Sequence, residues 1–211
     1  MLRKDLCAEA MRLNYLLLEN EHTNCPAVNA LFALMSFHSS RFEARTNHEG
    51  EIILYEDQDT SLWNTALIEQ GTHYLNAASQ GNLLSKYHLE AGIAYWHTQK
   101  KDVPEKWEHI LQLYNQLLQL EYSPIAALNR TYALGKANGK EVAIAEAEKL
   151  QLTTNHFYYS LLGHLYTTID NITALQHFQT ALDMASSHAD KTALAKNIEK
   201  LQAIKNSCSH G

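Results

Sequence analysis

Arg41 and Arg45 are the side chains with the most evident chemical use. With Leu34 and His38 they fall at i, i+4, i+7 and i+11, one stripe of a helix. Shortly after them come five carboxylates, Glu49, Glu51, Glu56, Asp57 and Asp59, with no Lys or Arg between them. Two guanidiniums close in the chain to a run of acids point first to ion pairs that lock a loop onto a helix. The second reading is a partner-binding surface, and the last is an acid pair for catalysis by Asp57 and Asp59. The candidate set for locking or interaction is His38, Arg41, Arg45, Asp57, Gln58, Asp59 and Trp63. An exposed pair of this kind contributes little, so the lock requires partial burial.

The remaining polar residues give no catalytic or metal-binding constellation. The twelve histidines are scattered and no HExxH occurs. His73 follows Glu69 and His109 follows Glu105 by one helical turn, but neither pair has an evident third ligand. Glycine-rich phosphate loops and the GxSxG elbow are absent from the sequence. No enzyme activity, catalytic residue, metal or cofactor is therefore expected.

Cys7, Cys25 and Cys208 lie far apart without CxxC spacing, which argues against a disulfide framework and for a reduced, cytoplasmic setting. Net charge is −6, of which residues 1–59 contribute −5 from 5 basic and 10 acidic residues. Phosphate contacts need clustered basic residues, so direct nucleic-acid binding is disfavoured. No apolar run approaches the ~18 residues of a membrane-spanning helix.

The elements that position these residues read as helices throughout. Low Pro and Gly content leaves few obligatory breaks. The first helix covers 3–20, with Leu6, Ala10, Leu13 and Leu17 supplying the apolar period. Pro26 opens a second helix over 26–46. Asn47 to Gly50 breaks it, and Ile52 to Tyr55 forms a short β-prone run. Asp59 or Thr60 caps a third helix that runs to about Ala78. Further helices are expected at about 85–99, 104–120, 124–137, 139–150, 156–168, 171–186 and 189–205. Trp63, Trp96 and Trp107 read as packing residues. Tyr87, Tyr95, Tyr132, Tyr158 and Tyr166 read as core, with the inner groove of a repeat stack as the alternative.

The second half carries a period. Leu128 and Leu162 are 34 residues apart, as are Tyr132 and Tyr166, the length of a tetratricopeptide repeat. Tyr159, Leu162, Gly163 and Tyr166 keep the spacing of that repeat's first helix, and Ala174, Phe178 and Ala181 that of its second. The linker between them is one residue short. The expected fold is all-α: a right-handed superhelix of tetratricopeptide-like hairpins with a short loop or strand inserted after the second helix. Residues 1–80 would form an N-terminal helical subdomain with its acidic insertion at 47–59, and 81–211 the repeats.

Several motifs carry a family resemblance. They are RxDLCAEAxRL from Arg3 to Leu13, FALM from Phe32 to Met35, the set His38, Arg41, Ala44 and Arg45, DQDxSLW from Asp57 to Trp63, and LIxxG at Leu67, Ile68 and Gly71. Tyr87 to His97, Trp107 to Tyr114 and Ser123 to Arg130 extend it along the chain. In this order they resemble the C-terminal region of a group of extracytoplasmic-function sigma factors of bacterial RNA polymerase. That group has a long tetratricopeptide-like extension after its DNA-binding regions. The chain departs from the family at Thr60, where a basic residue is usual, and at Asn64, where an acid is usual. The resemblance implies a role in transcription. Sigma regions 2 and 4 would precede this segment, so the chain is expected to be a fragment of a longer protein.

The expectation is a regulatory, protein-interaction domain that contacts those sigma regions or core RNA polymerase, with the acidic loop 49–59 as contact and no direct hold on DNA. A stand-alone peptide-binding repeat scaffold is the second reading. A small-molecule sensor or enzyme using the space between helix 26–46 and the loop is the third.

Overall fold

The computed structural model describes residues 3–46, 53 and 55–208, with side chains up to residue 203. Ten α-helices and no strand occur among the described residues. They are α1 (Lys4–Glu19), α2 (Pro26–Ser40), α3 (Thr65–Ala78), α4 (Lys86–Thr98), α5 (Pro104–Leu120), α6 (Pro124–Asn138), α7 (Lys140–Leu150), α8 (His156–Tyr166), α9 (Asn171–Met184) and α10 (His188–Cys208). The fold is all-α and built from helical hairpins. No helix among the described residues is long and apolar enough to cross a membrane.

Local chemistry sets most boundaries. Pro26, Pro104 and Pro124 open α2, α5 and α6, where a missing N–H has no helical partner to lose. Asp170 caps α9, its carboxylate accepting from the backbone N–H groups of Ile172 and Thr173 at 3.0 and 3.1 Å. Asp170→Ala should destabilise the chain by about 1 kcal/mol. Amide exchange in the first turn of α9 checks this, and unaltered exchange there would discount the cap.

Two boundaries differ from the sequence reading. The second helix was expected to reach residue 46, but α2 stops at Ser40 and a 3-10 turn follows, so Arg41 and Arg45 lie past its end and not on its stripe. The start of the third helix differs as well. Asp59 does act as a cap, accepting from Ser61 N at 2.8 Å, but it opens only a 3-10 turn over Thr60–Leu62. The α-helix waits for Asn64, whose side chain accepts from Leu67 N at 3.1 Å. Of the β-prone run, Ile52 and Leu54 lie outside the described residues, as do Glu49 and Glu51. Tyr55 opens a second 3-10 turn, Tyr55–Asp57.

Contacts divide the chain into two units, Met1–Tyr122 and Ser123–Gly211, where the sequence drew its boundary after residue 80. Packing of α4 on both α2 and α5 draws these helices into the first unit. Its core holds Ala33, Phe37, Ala91 and Ala94, flanked by Ile68, Tyr74 and Tyr95. Phe37 lies against Gly71 of α3, where an added Cβ would come within 2.7 Å of its ring. In the second unit Ala174, Phe178, Ala181, Leu194, Ile198 and Leu201 form the core. There Phe178 lies against Gly163 of α8, where an added Cβ would likewise come within 2.7 Å of its ring.

The first helix does not bury the stripe its period suggests. Leu6, Leu13 and Leu17 are exposed, while Asn14 and Leu18 face inward. The buried edge of α1 is turned by roughly a quarter of a helical circuit from the apolar stripe.

Candidate functional site

The end of α2, the insertion and the α4–α5 corner meet within the first unit. Arg41 is the residue after α2, and its own N–H closes the last turn onto His38 O. Ser40 O then accepts from Asn64 N at 2.8 Å, which ties the end of α2 to the cap of α3. A 3-10 turn, Phe42–Ala44, carries the chain on to Arg45. Arg45 O accepts from Ile53 N at 2.9 Å, and this bond brings the far side of the insertion back to α2.

Tyr55 is then directed inward. Its hydroxyl donates to His97 O at 3.0 Å and accepts from Lys106 Nζ at 2.6 Å. Lys106 also donates to Gln99 O at 2.8 Å. The Arg41 guanidinium sits 5.1 Å from the centre of the Tyr55 ring and 5.8 Å from that of Trp63, and its Nη1 donates to His97 O at 3.3 Å. His97 and Trp107 meet the phenol ring edge-on at 5.0 and 6.4 Å. Asp102 accepts from Trp107 Nε1, which fixes the indole of that wall.

The arrangement has a physical reason. The carbonyls of His97 and Gln99 belong to the end of α4, where helical partners run out and the helix dipole is negative. Arg41, Tyr55 and Lys106 supply the missing donors, and two of the three are cations. Ring faces add cation–π attraction of about 0.5–2 kcal/mol each. These terms offset the cost of burial, for Arg41 is 7% exposed and Lys106 2%.

Burial lowers the Arg41 pKa to about 10, with Arg45 nearby adding to the fall, so the guanidinium stays charged at neutral pH. Burial also lowers His97, to about 3, and the Arg41 and Lys106 charges act the same way. Its imidazole is therefore neutral in the folded protein. Tyr55 is raised, again chiefly by burial.

The residues singled out from sequence divide into two groups. Arg41 and Trp63 are in the cluster, and Gln58 donates within the insertion to Ile53 O at 3.4 Å. Arg45 is half-buried beside it. His38 is exposed on the last turn of α2. Asp57 and Asp59 point to solvent, and among the described residues neither forms an ion pair with Arg41 or Arg45. Asp59 is held below the usual carboxylate range by its hydrogen bonds from Ser61. Among the described residues the insertion is held by the Tyr55 ring and hydroxyl at the end of α4 and by the Ile53–Arg45 backbone bond, and Asp57 and Asp59 take no part.

Sequence reasoning missed Tyr55, His97 and Lys106. Lys106 left a signal. It stands four residues before Ile110 and eight before Tyr114, on the buried stripe of α5. A cation on an apolar stripe needs an acceptor inside the fold.

Residues 1–79 match the model of a family of unknown function, DUF6596. That stretch contains α1 to α3 and the insertion. The chain is also similar to an uncharacterized protein of Rhizobium meliloti (strain 1021), at 32% identity over 204 residues. The alignment covers 94% of this chain and 48% of that protein, so the chain spans about half the length of its curated relative. No solved structure matches significantly.

Proposed function

We propose that the chain is a protein-interaction domain of an extracytoplasmic-function sigma factor. In the cytoplasm it modulates transcription initiation by docking on sigma regions 2 and 4 or on core RNA polymerase, without touching DNA. The observation that carries the docking reading is the outward face of the insertion. With Tyr55 turned inward, Glu56, Asp57 and Asp59 are all exposed on one short stretch. A fixed acidic stretch suits a basic partner surface and steers association more than it adds affinity. The transcription role comes from the resemblance of the motifs around it, from Arg3 through Trp63. A relative twice as long leaves room for further regions in that protein.

The test uses charge reversal at positions that no described contact holds. Glu56→Lys with Asp57→Lys should weaken co-purification with the matching sigma regions by about tenfold, with the thermal midpoint unchanged. Asp59 is left in place because its carboxylate caps a turn. Full retention and unchanged promoter activity would remove the insertion from the mechanism.

A second reading rests on a separate groove in the second unit. Leu128, Asn129 and Tyr132 of α6 face Phe157, Leu161 and His164 of α8 around a cavity of about 280 Å³. Its size and apolar lining suit a side chain of a bound peptide, as a stand-alone repeat scaffold would require.

A further inference from the structure

The clasp has the form of a binding site with an occupant already in it. Tyr55 enters from the insertion, and its ring is enclosed by Arg41, Trp63, His97 and Trp107. Its hydroxyl is read from two sides, by a donor (Lys106 Nζ) and by an acceptor (His97 O). Such a pair distinguishes a phenol from a plain arene, because an unanswered buried polar group is costly.

The fit of Tyr55 is also incomplete. Trp63 Nε1, His97 Nδ1 and Gln58 Oε1 are buried in and beside the cage and have no hydrogen-bond partner among the described residues. Trp63 as a whole is only 5% exposed. The side chain that fills the space thus leaves a donor, an acceptor and an imidazole nitrogen unanswered.

The geometry points to a receptor site for a small hydroxyaryl ligand, held closed in this chain by Tyr55 acting as an internal competitor. Binding of such a ligand in place of Tyr55 frees the turn Tyr55–Asp57 from α4 and α5, while Trp63 stays as a wall of the cage. Competition sets the scale: a tethered group acts at an effective concentration of about millimolar. Simple phenols must therefore reach that range before they displace it. The apparent affinity falls by the fraction of chains in which the cage is open. This inference stands on the geometry of the cage and not on the docking role, and its test needs the chain alone.

The experiment has two arms. In the first, Tyr55→Ala, checked as folded by circular dichroism, is titrated with 4-methylphenol and with toluene. The phenol should raise its thermal midpoint saturably, and toluene, which lacks the hydroxyl, should not. In the second, the wild-type chain is exposed to the same compounds and amide exchange is followed over residues 55–58. The phenol should speed exchange there saturably, leaving α6 to α9 unaffected. Equal stabilisation by toluene, or no stabilisation of a folded Tyr55→Ala, would overturn the site. Wild-type exchange unaffected at tens of millimolar phenol would overturn the displacement.

Discussion

Phe178→Ala is expected to cost about 3–5 kcal/mol in the second unit, and Phe37→Ala about the same in the first. Each ring is 1% exposed, so truncation leaves a cavity that its neighbours cannot fill from solvent. Each also lies on a glycine, Gly163 or Gly71, with no side chain to lean into the gap. The reverse change should hurt as well. A methyl added at either glycine would meet ring carbons at 2.7 Å, well inside van der Waals contact. Aromatic rings do not bend aside, so Gly163→Ala and Gly71→Ala should each cost about 1–3 kcal/mol. Amide exchange by mass spectrometry resolves which segment loosens. Losses below about 1 kcal/mol for both phenylalanines would mean that these rings do not anchor the hairpins.

Acid should destabilise the first unit through His97. Above pH 6.5 both folded and unfolded chains carry a neutral imidazole, and the group contributes nothing to the balance. Below 6.5 the unfolded chain takes up a proton that the folded one refuses until about pH 3. Stability therefore declines as pH drops through that window and levels off beneath it. The size should be a few kcal/mol, since the imidazole faces both Arg41 and Lys106 as well as burial. His97→Phe keeps a flat ring and the backbone oxygen that Tyr55 and Arg41 use. Denaturation midpoints of the variant and the parent, compared at pH 7.5 and 4.5, should diverge at the acid end. Parallel slopes would show that this imidazole is not what titrates.

Legibility in the sequence followed the range of the forces involved. Helix starts at Pro26, Pro104 and Pro124 rest on chemistry within four residues, and they were readable. The start of α3 was not, because Asp59 and Asn64 are both good caps and only tertiary contact with Ser40 O selects Asn64. The face of α1 failed for a related reason. Period locates an apolar stripe, but what covers it depends on the neighbour, and α2 takes Asn14 and Leu18.

The clasp was half legible. Arg41 and Trp63 were singled out by type and spacing, and both stand beside Tyr55 in the cluster. Asp57 and Asp59 were singled out as partners of Arg41 and Arg45 because opposite charges near in sequence suggest pairing, and both are exposed. The acceptor that Arg41 meets among the described residues is the His97 carbonyl at the end of α4, more than fifty residues away, and a carbonyl has no signature in a sequence.

Thr168 explains how the last repeat survives its shortened joint. The turn between α6 and α7 uses Gly139 at φ 101°, which needs no side-chain accommodation. The joint between α8 and α9 places Thr168 at φ 75°, a left-handed setting that a β-branched residue rarely adopts and that costs about 1–3 kcal/mol. That turn delivers Asp170 to the position from which its carboxylate starts the following helix.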